Sequence, residues 1–355
     1  MTTPLNEMSE QGATVLWNDS ADPRELAQSI RWGAVGATCN PVIALTVIKA
    51  DLPRWTARIG ELARELPQAT ETEIGWRVIE EVSLEAAALL RPVFDAHGGH
   101  NGRLSMQTNP RLHRDPQALA DQAEHFSSLA PNIIVKIPAT ATGLVAIEDA
   151  VARGVSINVT VSFSVPQAVA AAEAIERGMR ARQGAGHDTS TMGHVVTIMC
   201  GRLDDWVKDC VARDGLDVDP THLEWAGVAT LKRAYGIFQE RGFRSRLLSA
   251  AFRNTLAWSE LVGGDVVVSP PFAWQERIQS NGHRPVPRMS EPVDPDTIAA
   301  LSRIADFRRA YEPEGLTPAE FEDFGPTRKT LRQFLEATDE LDHVVRDVLV
   351  PDPLA

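Results

Sequence analysis

The sequence predicts a parallel (β/α)8 barrel, an α/β TIM barrel with additional helices, and two observations lead to this fold class. Eight short apolar segments alternate with helical patterns between residues 13 and 280. This alternation is typical of parallel strands, because each parallel pair needs a crossover connection. The first apolar segment is followed by NDSADP, residues 18–23, where an open doubly wound sheet would usually carry a glycine-rich turn. We therefore favour the closed barrel over that open sheet.

The eight predicted strands are short and rich in apolar, often β-branched residues, as buried parallel strands are. They are predicted at residues 13–17, 33–38, 103–108, 132–137, 155–161, 194–199, 245–250 and 265–269. Eight strand–helix units in a row indicate one barrel of ordinary size.

The helices are predicted from apolar residues that recur at helical spacing. They are expected at about 23–32, after Asn40-Pro41, and at about 52–66, 72–94, 116–129, 143–152, 166–181, 203–212, 220–241, up to 261, and 272–279. An arginine- and glycine-rich loop, RARQGAGHD, is expected after residue 181. We assign residues 1–284 to the barrel domain and residues 285–355 to a helical C-terminal extension packed on the barrel.

Composition and charge exclude several classes of function. The chain of 355 residues has a formal net charge of −13, which argues against a nucleic-acid-binding face. It has no apolar run long enough to span a bilayer and no signal-peptide pattern. Its three cysteines fit neither a disulfide framework nor a zinc site. We therefore expect a cytoplasmic protein without membrane or nucleic-acid partners. A homodimer is a separate possibility that composition does not decide.

A metal site is not expected either. The nine histidines show no HxxxH spacing. The neighbouring carboxylates Asp204 and Asp205 are interpreted as matching the positive end of a helix dipole.

Polar residues stand at the carboxyl ends of the predicted strands, where barrels of this kind carry their active sites. In chain order they are Asn18, Asp19, Thr38, Asn40, Gln107, Lys136, Asn158, Thr160, Thr197, Arg202 and Arg253. Because the strand ends share one rim, we expect these side chains to converge on one mouth.

Lys136 is the most informative of these residues, because it lies inside the apolar run IIVKI, residues 133–137. Lysine is among the residues least often buried, and desolvation lowers the pKa of its amine. A neutral amine can form a Schiff base with a carbonyl substrate. Asp19 could move protons, and the arginine pair Arg202 and Arg253 could clamp a phosphate. The set predicts a carbon–carbon lyase or transferase acting on a phosphorylated sugar.

Each of these residues also has a structural alternative. Asp19 could cap a helix, Asn40 could open one, and Thr160 could be an ordinary strand residue. Lys136 could belong to a buried ion pair, and the two arginines could form surface salt bridges. The joint placement of all of them at strand ends favours the functional interpretation.

Six motifs together resemble the transaldolase family. In order they are GATCNPVI, LSMQTNPRL, NIIVKIPAT, GVSINVTVSFSVPQA, GRLDDW and AFRN. The resemblance runs from about residue 13 to residue 280, which is most of the chain. It implies a barrel of the class I aldolase type that uses no metal and no organic cofactor.

The resemblance also implies a role for each matching residue. Lys136 matches the Schiff-base lysine, and Asp19 resembles the acid/base that acts on the C4 hydroxyl. Asn158 and Thr160 resemble the pair that positions substrate and water. Thr197 stands where the family usually has a serine. The implied substrate- and phosphate-binding set is Thr38, Asn40, Asn158, Thr197, Arg202 and Arg253.

Gln107 departs from the family pattern. The family usually has a glutamate here that activates the catalytic water, and an amide cannot act as a base. A glutamine at this point is similar to the related fructose-6-phosphate aldolases, which pair it with a tyrosine on the sixth strand. The corresponding residue here is Met199, which offers no hydroxyl.

The expected function is therefore that of a transaldolase, which transfers a three-carbon dihydroxyacetone unit between sugar phosphates in the pentose phosphate pathway. Two alternatives remain open. One is an aldolase-like lyase that releases the three-carbon fragment. The other is a catalytically reduced barrel that only binds sugar phosphates. The acceptor could also be an unusual sugar.

Overall fold

A closed barrel of eight parallel strands forms the centre of the protein, in a computed structural model that describes residues 3–354. The strands are β1 (Val15–Asn18), β2 (Ala34–Cys39), β3 (Arg103–Gln107), β4 (Ile133–Pro138), β5 (Ile157–Thr160), β6 (Val195–Ile198), β7 (Arg246–Ser249) and β8 (Val266–Val268). Each strand pairs with the next one in the chain, and β8 closes the barrel on β1. The predicted fold class is confirmed.

The helices surround this barrel. They are α1 (Pro4–Gln11), α2 (Pro23–Arg31), α3 (Pro41–Ala50), α4 (Leu52–Glu65), α5 (Glu71–Ala96), α6 (Pro116–Leu129), α7 (Ala141–Arg153), α8 (Val165–Gly184), α9 (Cys200–Asp214), α10 (Pro220–Leu223), α11 (Ala226–Arg241), α12 (Leu256–Ser259), α13 (Phe272–Ser280), α14 (Pro295–Leu301), α15 (Ala305–Tyr311) and α16 (Gly325–Leu349). Two 3-10 turns, Pro110–Leu112 and Pro318–Glu320, complete the regular structure of the described residues. None of the described helices is both long and apolar enough to cross a lipid bilayer.

Helix starts follow a recurring sequence signal. A side-chain oxygen of Asp22, Asn40, Asp115 or Ser164 accepts a hydrogen bond from a backbone N–H in the first turn of its helix. In each case a proline stands in that first turn, where its fixed φ suits the helix and its missing N–H costs nothing. Three of these helices, α2, α3 and α8, begin within five residues of the strand ends that form the site.

Four helical boundaries differ from the sequence prediction. The polar N-terminal residues form α1, which was not predicted, and α12 is a single turn in place of a longer helix. The RARQ part of the expected loop continues α8 to Gly184. The helix expected over 220–241 is broken into α10 and α11. At the break, Asn254 donates a hydrogen bond to the Glu224 carbonyl at 3.1 Å, and Asp204 accepts one from the Gly227 N–H at 2.8 Å. These two side chains satisfy backbone groups at the break between α10 and α11.

The C-terminal helices pack on the outside of the barrel. The long helix α16 lies against α3, α4, α5 and α9. Ion pairs fasten it at several points, including Arg346 with Glu71 at 2.6 Å and Arg111 with Asp342 at 2.8 Å. The domain boundary at residues 284 and 285 stays a prediction. What the structure adds is that α16 reaches the rim that carries the predicted site.

Candidate active site

A cavity of about 240 Å³ opens at the carboxyl ends of the strands. Eight of the eleven polar residues predicted at the strand ends line it, namely Asp19, Thr38, Asn40, Lys136, Thr160, Thr197, Arg202 and Arg253. The other three, Asn18, Gln107 and Asn158, are buried beside it. The structure thus brings the predicted residues of seven strands to one place.

Lys136 lies in the middle of β4, where all six residues are buried. The register places it between Gln107 of β3 and Asn158 of β5. Its side chain is only 5% exposed, and among residues 3–354 the amine has no hydrogen-bond or ion-pair partner. Burial lowers the pKa of Lys136, although the charge of Asp19 partly opposes this shift. The alternative of a buried ion pair does not fit this geometry.

Asp19 follows β1 and is half-buried at the mouth of the cavity. Thr38, at the end of the neighbouring strand β2, donates a hydrogen bond to its Oδ1 atom. The backbone N–H of Asp19 donates to the Pro270 carbonyl at 3.3 Å. The cap of α2 is Asp22, so Asp19 remains available for chemistry.

Gln275, which the sequence did not single out, holds the segment that carries Asp19. It is fully buried on α13 and donates to Asn18 Oδ1 at 2.7 Å and to the Pro270 carbonyl at 3.1 Å. Ser29 donates to its Oε1 atom at 2.6 Å. Asn18 is therefore a structural residue. The only sequence signal was a glutamine at a helical spacing that faces the barrel.

Asn40 caps a helix and also lies at the cavity. Its Oδ1 atom accepts from the Ile43 N–H at 3.0 Å and caps α3, and its side chain also lines the cavity. Because the cap uses only the oxygen, the amide NH₂ remains a donor for a ligand.

A buried chain of hydrogen bonds runs beneath the cavity floor. Thr197 donates to Asn158 Oδ1 at 2.8 Å, and Asn158 Nδ2 donates to Ser105 Oγ at 2.9 Å. Asn158 is fully buried and does not line the cavity. Its oxygen orients Thr197. Its amide has one remaining N–H, which can be a single further donor beside Lys136.

Thr160 and Gln107 have unpaired buried oxygens near the lysine. Among the described residues, neither Thr160 Oγ1 nor Gln107 Oε1 has a hydrogen-bond partner. Buried polar atoms are usually paired, and Thr160 lines the cavity. A substrate hydroxyl or a water molecule would satisfy the Thr160 oxygen.

The backbone is strained next to this site. Val161, directly after β5, has φ +51°, and Ala251, two residues after β7, has φ +60°. Positive φ is unusual for alanine and costly for a β-branched valine. Gln167 stabilises the first of these turns, because its Nε2 atom donates to the carbonyls of Ala139 at 3.0 Å and Val161 at 3.2 Å. Such strain is typical of functional strand ends.

Arg202 and Arg253 stand close together at the outer end of the cavity. Burial and then the charge of Arg253 lower the pKa of Arg202. Gly201 permits this approach, because a Cβ atom there would lie 2.0 Å from the Ala251 carbonyl oxygen. Arg253 is oriented by Asp205, which accepts from its Nε atom at 2.8 Å. Two adjacent guanidinium groups form a strong site for an anion.

Asp204, interpreted from sequence as a dipole match, has a different role. Its helix α9 begins at Cys200, so Asp204 lies beyond the first turn and is buried against α11, where it accepts from the Gly227 N–H. Burial raises the pKa of Asp204 well above its usual range. In the described part of the chain, no three His, Cys, Asp or Glu side chains come together as metal ligands would. The three cysteines are buried and free.

Comparisons with known proteins identify the family of this chain. The family model described as "Transaldolase/Fructose-6-phosphate aldolase" matches residues 16–314. A protein named transaldolase from Thermobifida fusca is 32% identical over 248 residues, and one from Acidothermus cellulolyticus is 33% identical over 258 residues. Each alignment covers 68% of this chain and 66% of the relative.

A third relative is similar over almost the whole length. The protein named transaldolase from Parafrankia sp. is 26% identical over 357 residues, covering 98% of this chain and 92% of its own. The family match spans more than half of the chain. The chain therefore belongs to the transaldolase/fructose-6-phosphate aldolase family.

Proposed function

We propose that this protein is a transaldolase, a transferase that moves a three-carbon dihydroxyacetone unit from a ketose phosphate to an aldose phosphate through a Schiff base on Lys136. One observation carries the proposal. A desolvated, unpaired lysine lines the same cavity as a half-buried carboxylate and two adjacent arginines. The relatives named transaldolase support the same activity. This chain spans about two thirds of the length of the first of them.

In the first half-reaction, the neutral Lys136 amine attacks the C2 carbonyl of the ketose phosphate. The carbinolamine loses water and becomes an iminium, which acts as an electron sink. Asp19 then removes the proton of the C4 hydroxyl. The C3–C4 bond breaks, its electron pair forms the enamine on Lys136, and the new C4 aldehyde leaves as the shorter aldose phosphate.

In the second half-reaction, the enamine carbon C3 attacks the aldehyde of the acceptor. Asp19 returns its proton to the oxygen that becomes the new C4 hydroxyl. Hydrolysis of the iminium then releases the product ketose phosphate and frees Lys136.

Water enters and leaves this cycle without help from an ionised side chain on β3. Gln107 is neutral, so we propose that dehydration and hydrolysis use a water held by Thr160, with Asp19 as the proton carrier. The unpaired Thr160 Oγ1 atom supports this role. Thr38 orients Asp19, and we propose that Asn40, Asn158 and Thr197 position substrate hydroxyls.

Arg202 and Arg253 bind the substrate phosphate in both half-reactions. Paired guanidinium groups suit a phosphate dianion because they supply several charge-assisted hydrogen bonds. Holding the phosphate fixes the distance between the reacting carbon and Lys136, and such positioning raises the rate of the chemical step.

We extend the proposal to the cellular setting. Transfer of a three-carbon unit between sugar phosphates fits the pentose phosphate pathway, and three free cysteines fit the reducing cytoplasm. The proposed partners are small sugar phosphates, with no nucleic acid, no membrane and no cofactor. We also propose a homodimer, which sedimentation velocity would test.

A transfer assay tests the proposal. A ketose phosphate labelled in its first three carbons is incubated with an aldose phosphate acceptor, and we expect the label to appear in the new ketose phosphate. Lys136→Met should abolish the transfer. Lys49→Met, which removes an exposed lysine paired with Glu340, should leave it intact. Transfer by the Lys136→Met variant would disprove the assignment.

Gln107 favours one second candidate, an aldolase that releases the three-carbon fragment to water. Glutamine at this point is similar to the fructose-6-phosphate aldolases of the same family. Met199, which lines the cavity in place of a hydroxyl-bearing tyrosine, speaks against it. Release of labelled dihydroxyacetone in the absence of acceptor, at a rate equal to that of transfer, would establish the aldolase.

A further inference from the structure

A second cavity, of about 380 Å³, lies on the outer side of the two arginines. We call it the α16 cavity, because Lys329, Thr330, Arg332, Gln333 and Glu336 of that helix form its far wall. Arg202 and Arg253 line both this cavity and the catalytic one. The arginine pair therefore stands between Lys136 and α16.

The α16 cavity provides further space for a ligand past this pair. Small-molecule sites commonly enclose about 300–1,000 Å³. The catalytic cavity alone, at about 240 Å³, falls below that range, whereas the α16 cavity adds a larger volume directly beyond the arginines.

The charge of the α16 cavity suits an anion. Its lining contains four cationic side chains and two carboxylates, in a chain whose net charge is −13. Two of these cationic side chains already have an ion-pair partner. Lys329 pairs with Asp209, and Arg253 pairs with Asp205. Arg332 differs from them.

Within residues 3–354, the Arg332 guanidinium has neither a hydrogen-bond nor an ion-pair partner. It stands on the exposed side of α16, one turn from Arg328. A surface arginine without a partner is common, but this one lines a cavity that continues the phosphate site. The position makes all of its donors available to a ligand.

We propose that the α16 cavity is a second anion subsite, in which Arg332 receives the phosphate of ketose phosphates longer than those that Arg202 and Arg253 alone can hold. The inference rests on the proposed function. The Schiff base fixes C2 at Lys136, so each added carbon moves the phosphate outward, past the arginine pair and toward α16. Arg332 is then a residue that determines chain-length specificity.

A chain-length series tests the subsite. The kcat/KM is measured for six-, seven- and eight-carbon ketose phosphates with the wild type, with Arg332→Gln and with Arg328→Gln. Arg328 makes the same charge change on the same helix but pairs with Asp323 and does not line the cavity. We expect Arg332→Gln to lower the ratio of eight-carbon to six-carbon kcat/KM about tenfold, mainly through a higher KM for the eight-carbon substrate. A tenfold change corresponds to the loss of one charge-assisted hydrogen bond. The Arg328→Gln ratio should match the wild type.

Equal losses at every chain length would overturn the inference, because they would indicate general attraction of anions by surface charge. Unchanged kcat/KM values at every chain length in Arg332→Gln would overturn it as well. Both results leave the transferase proposal intact, provided that the wild type transfers the three-carbon unit.

A titration with inorganic pyrophosphate separates the two proposals. We expect one phosphate of this ligand at the arginine pair and the other at Arg332, because all three arginines line the α16 cavity, and no catalysis is needed. We expect Arg332→Gln to weaken pyrophosphate binding about tenfold and Arg328→Gln to leave it unchanged. If the wild type transferred no ketose fragment yet showed this pattern, the transferase would be wrong and the anion subsite would stand. Equal affinities in all three proteins would reject the subsite.

Discussion

Arg202 donates a hydrogen bond to Thr330 Oγ1 of α16 at 3.1 Å. Its guanidinium carbon also lies 5.6 Å from the centre of the Phe334 ring, on the same helix. The C-terminal helix thus holds one of the two arginines at the outer end of the cavity. A segment that carries none of the family motifs quoted above therefore takes part in building the site.

Thr330→Val tests this contact, because valine keeps the shape and removes only the hydroxyl. A hydrogen bond to a charged group contributes about 1.5–3 kcal/mol. We expect KM for a ketose phosphate to rise about tenfold, with a smaller change in kcat. Thr338→Val is the matched control, since Thr338 is buried on the same helix and bonds only the Phe334 carbonyl. Equal KM values in both variants would show that Thr330 does not position Arg202.

Gln275→Leu tests the network behind Asp19. The change removes two donors that hold Asn18 and the Pro270 carbonyl, so the carboxylate should lose its orientation for the C4 hydroxyl. We expect kcat to fall about tenfold while KM changes little, because misplacement of a catalytic group affects the chemical step. Gln279→Leu, on the same helix, replaces a side chain that bonds Leu5 and Thr3. If both variants lost stability alike and kept kcat, Gln275 would be only structural.

The pH dependence of imine formation reports the Lys136 pKa. Burial lowers that pKa below its ordinary value of 10.5, and only the neutral amine attacks a carbonyl. The single-turnover rate of imine formation should therefore rise with pH, with its midpoint below pH 10.5. Asp19→Asn removes a carboxylate that favours the ammonium, so its curve should move to lower pH. A midpoint at or above 10.5, or a shift of the variant to higher pH, would refute this.

Lys136→Met should make the protein more stable while making it inactive. Between the lowered folded pKa and the ordinary value of 10.5, the unfolded chain holds the lysine proton more readily than the folded one. Stability of the wild type therefore rises with pH in this range. We expect the variant to gain about 1–2 kcal/mol in the free energy of unfolding at pH 7. The gain should shrink as pH rises towards 10.5, and chemical denaturation at several pH values measures it.

An unchanged or lower stability in Lys136→Met at pH 7 would show that the amine is well solvated or paired. Lys329→Met provides the control, because that lysine is exposed and paired with Asp209. It should show no stabilisation of this kind.

Gln107→Glu tests the departure of this chain from its family. A carboxylate next to Lys136 in the register could activate water, and general-base catalysis contributes about 10²–10⁴-fold. We expect transfer to accelerate about tenfold or more in the pH range where the new side chain is ionised. The buried charge should also lower stability. A variant no faster than the wild type would show that Thr160 and Asp19 already suffice for the water steps.

Most of the fold was predictable from hydrophobic pattern alone. Every predicted strand is present, because short β-branched runs between helical segments leave few other arrangements. The breaks were not predictable. The end of α10 depends on Asn254, 30 residues away in sequence, and the start of α11 depends on Asp204. Such side-chain bonds to backbone groups leave no periodic signal.

The site was predictable where chemistry stands at a strand end. Lys136, Asp19, Arg202 and Arg253 were found because each follows or interrupts an apolar run. Gln275 and Thr330 were missed, because a single polar residue on a helix does not reveal what it contacts. Asn158 was expected among the cavity residues but lies beneath them, which a strand pattern cannot distinguish.

Reductive trapping followed by peptide mass spectrometry tests the role of Lys136 most directly. The enzyme is incubated with a ketose phosphate and treated with borohydride, then digested. We predict a reduced three-carbon adduct on the peptide that contains Lys136 and on no other lysine-containing peptide. A donor-treated enzyme that is actively turning over but carries no adduct on that peptide would contradict the account.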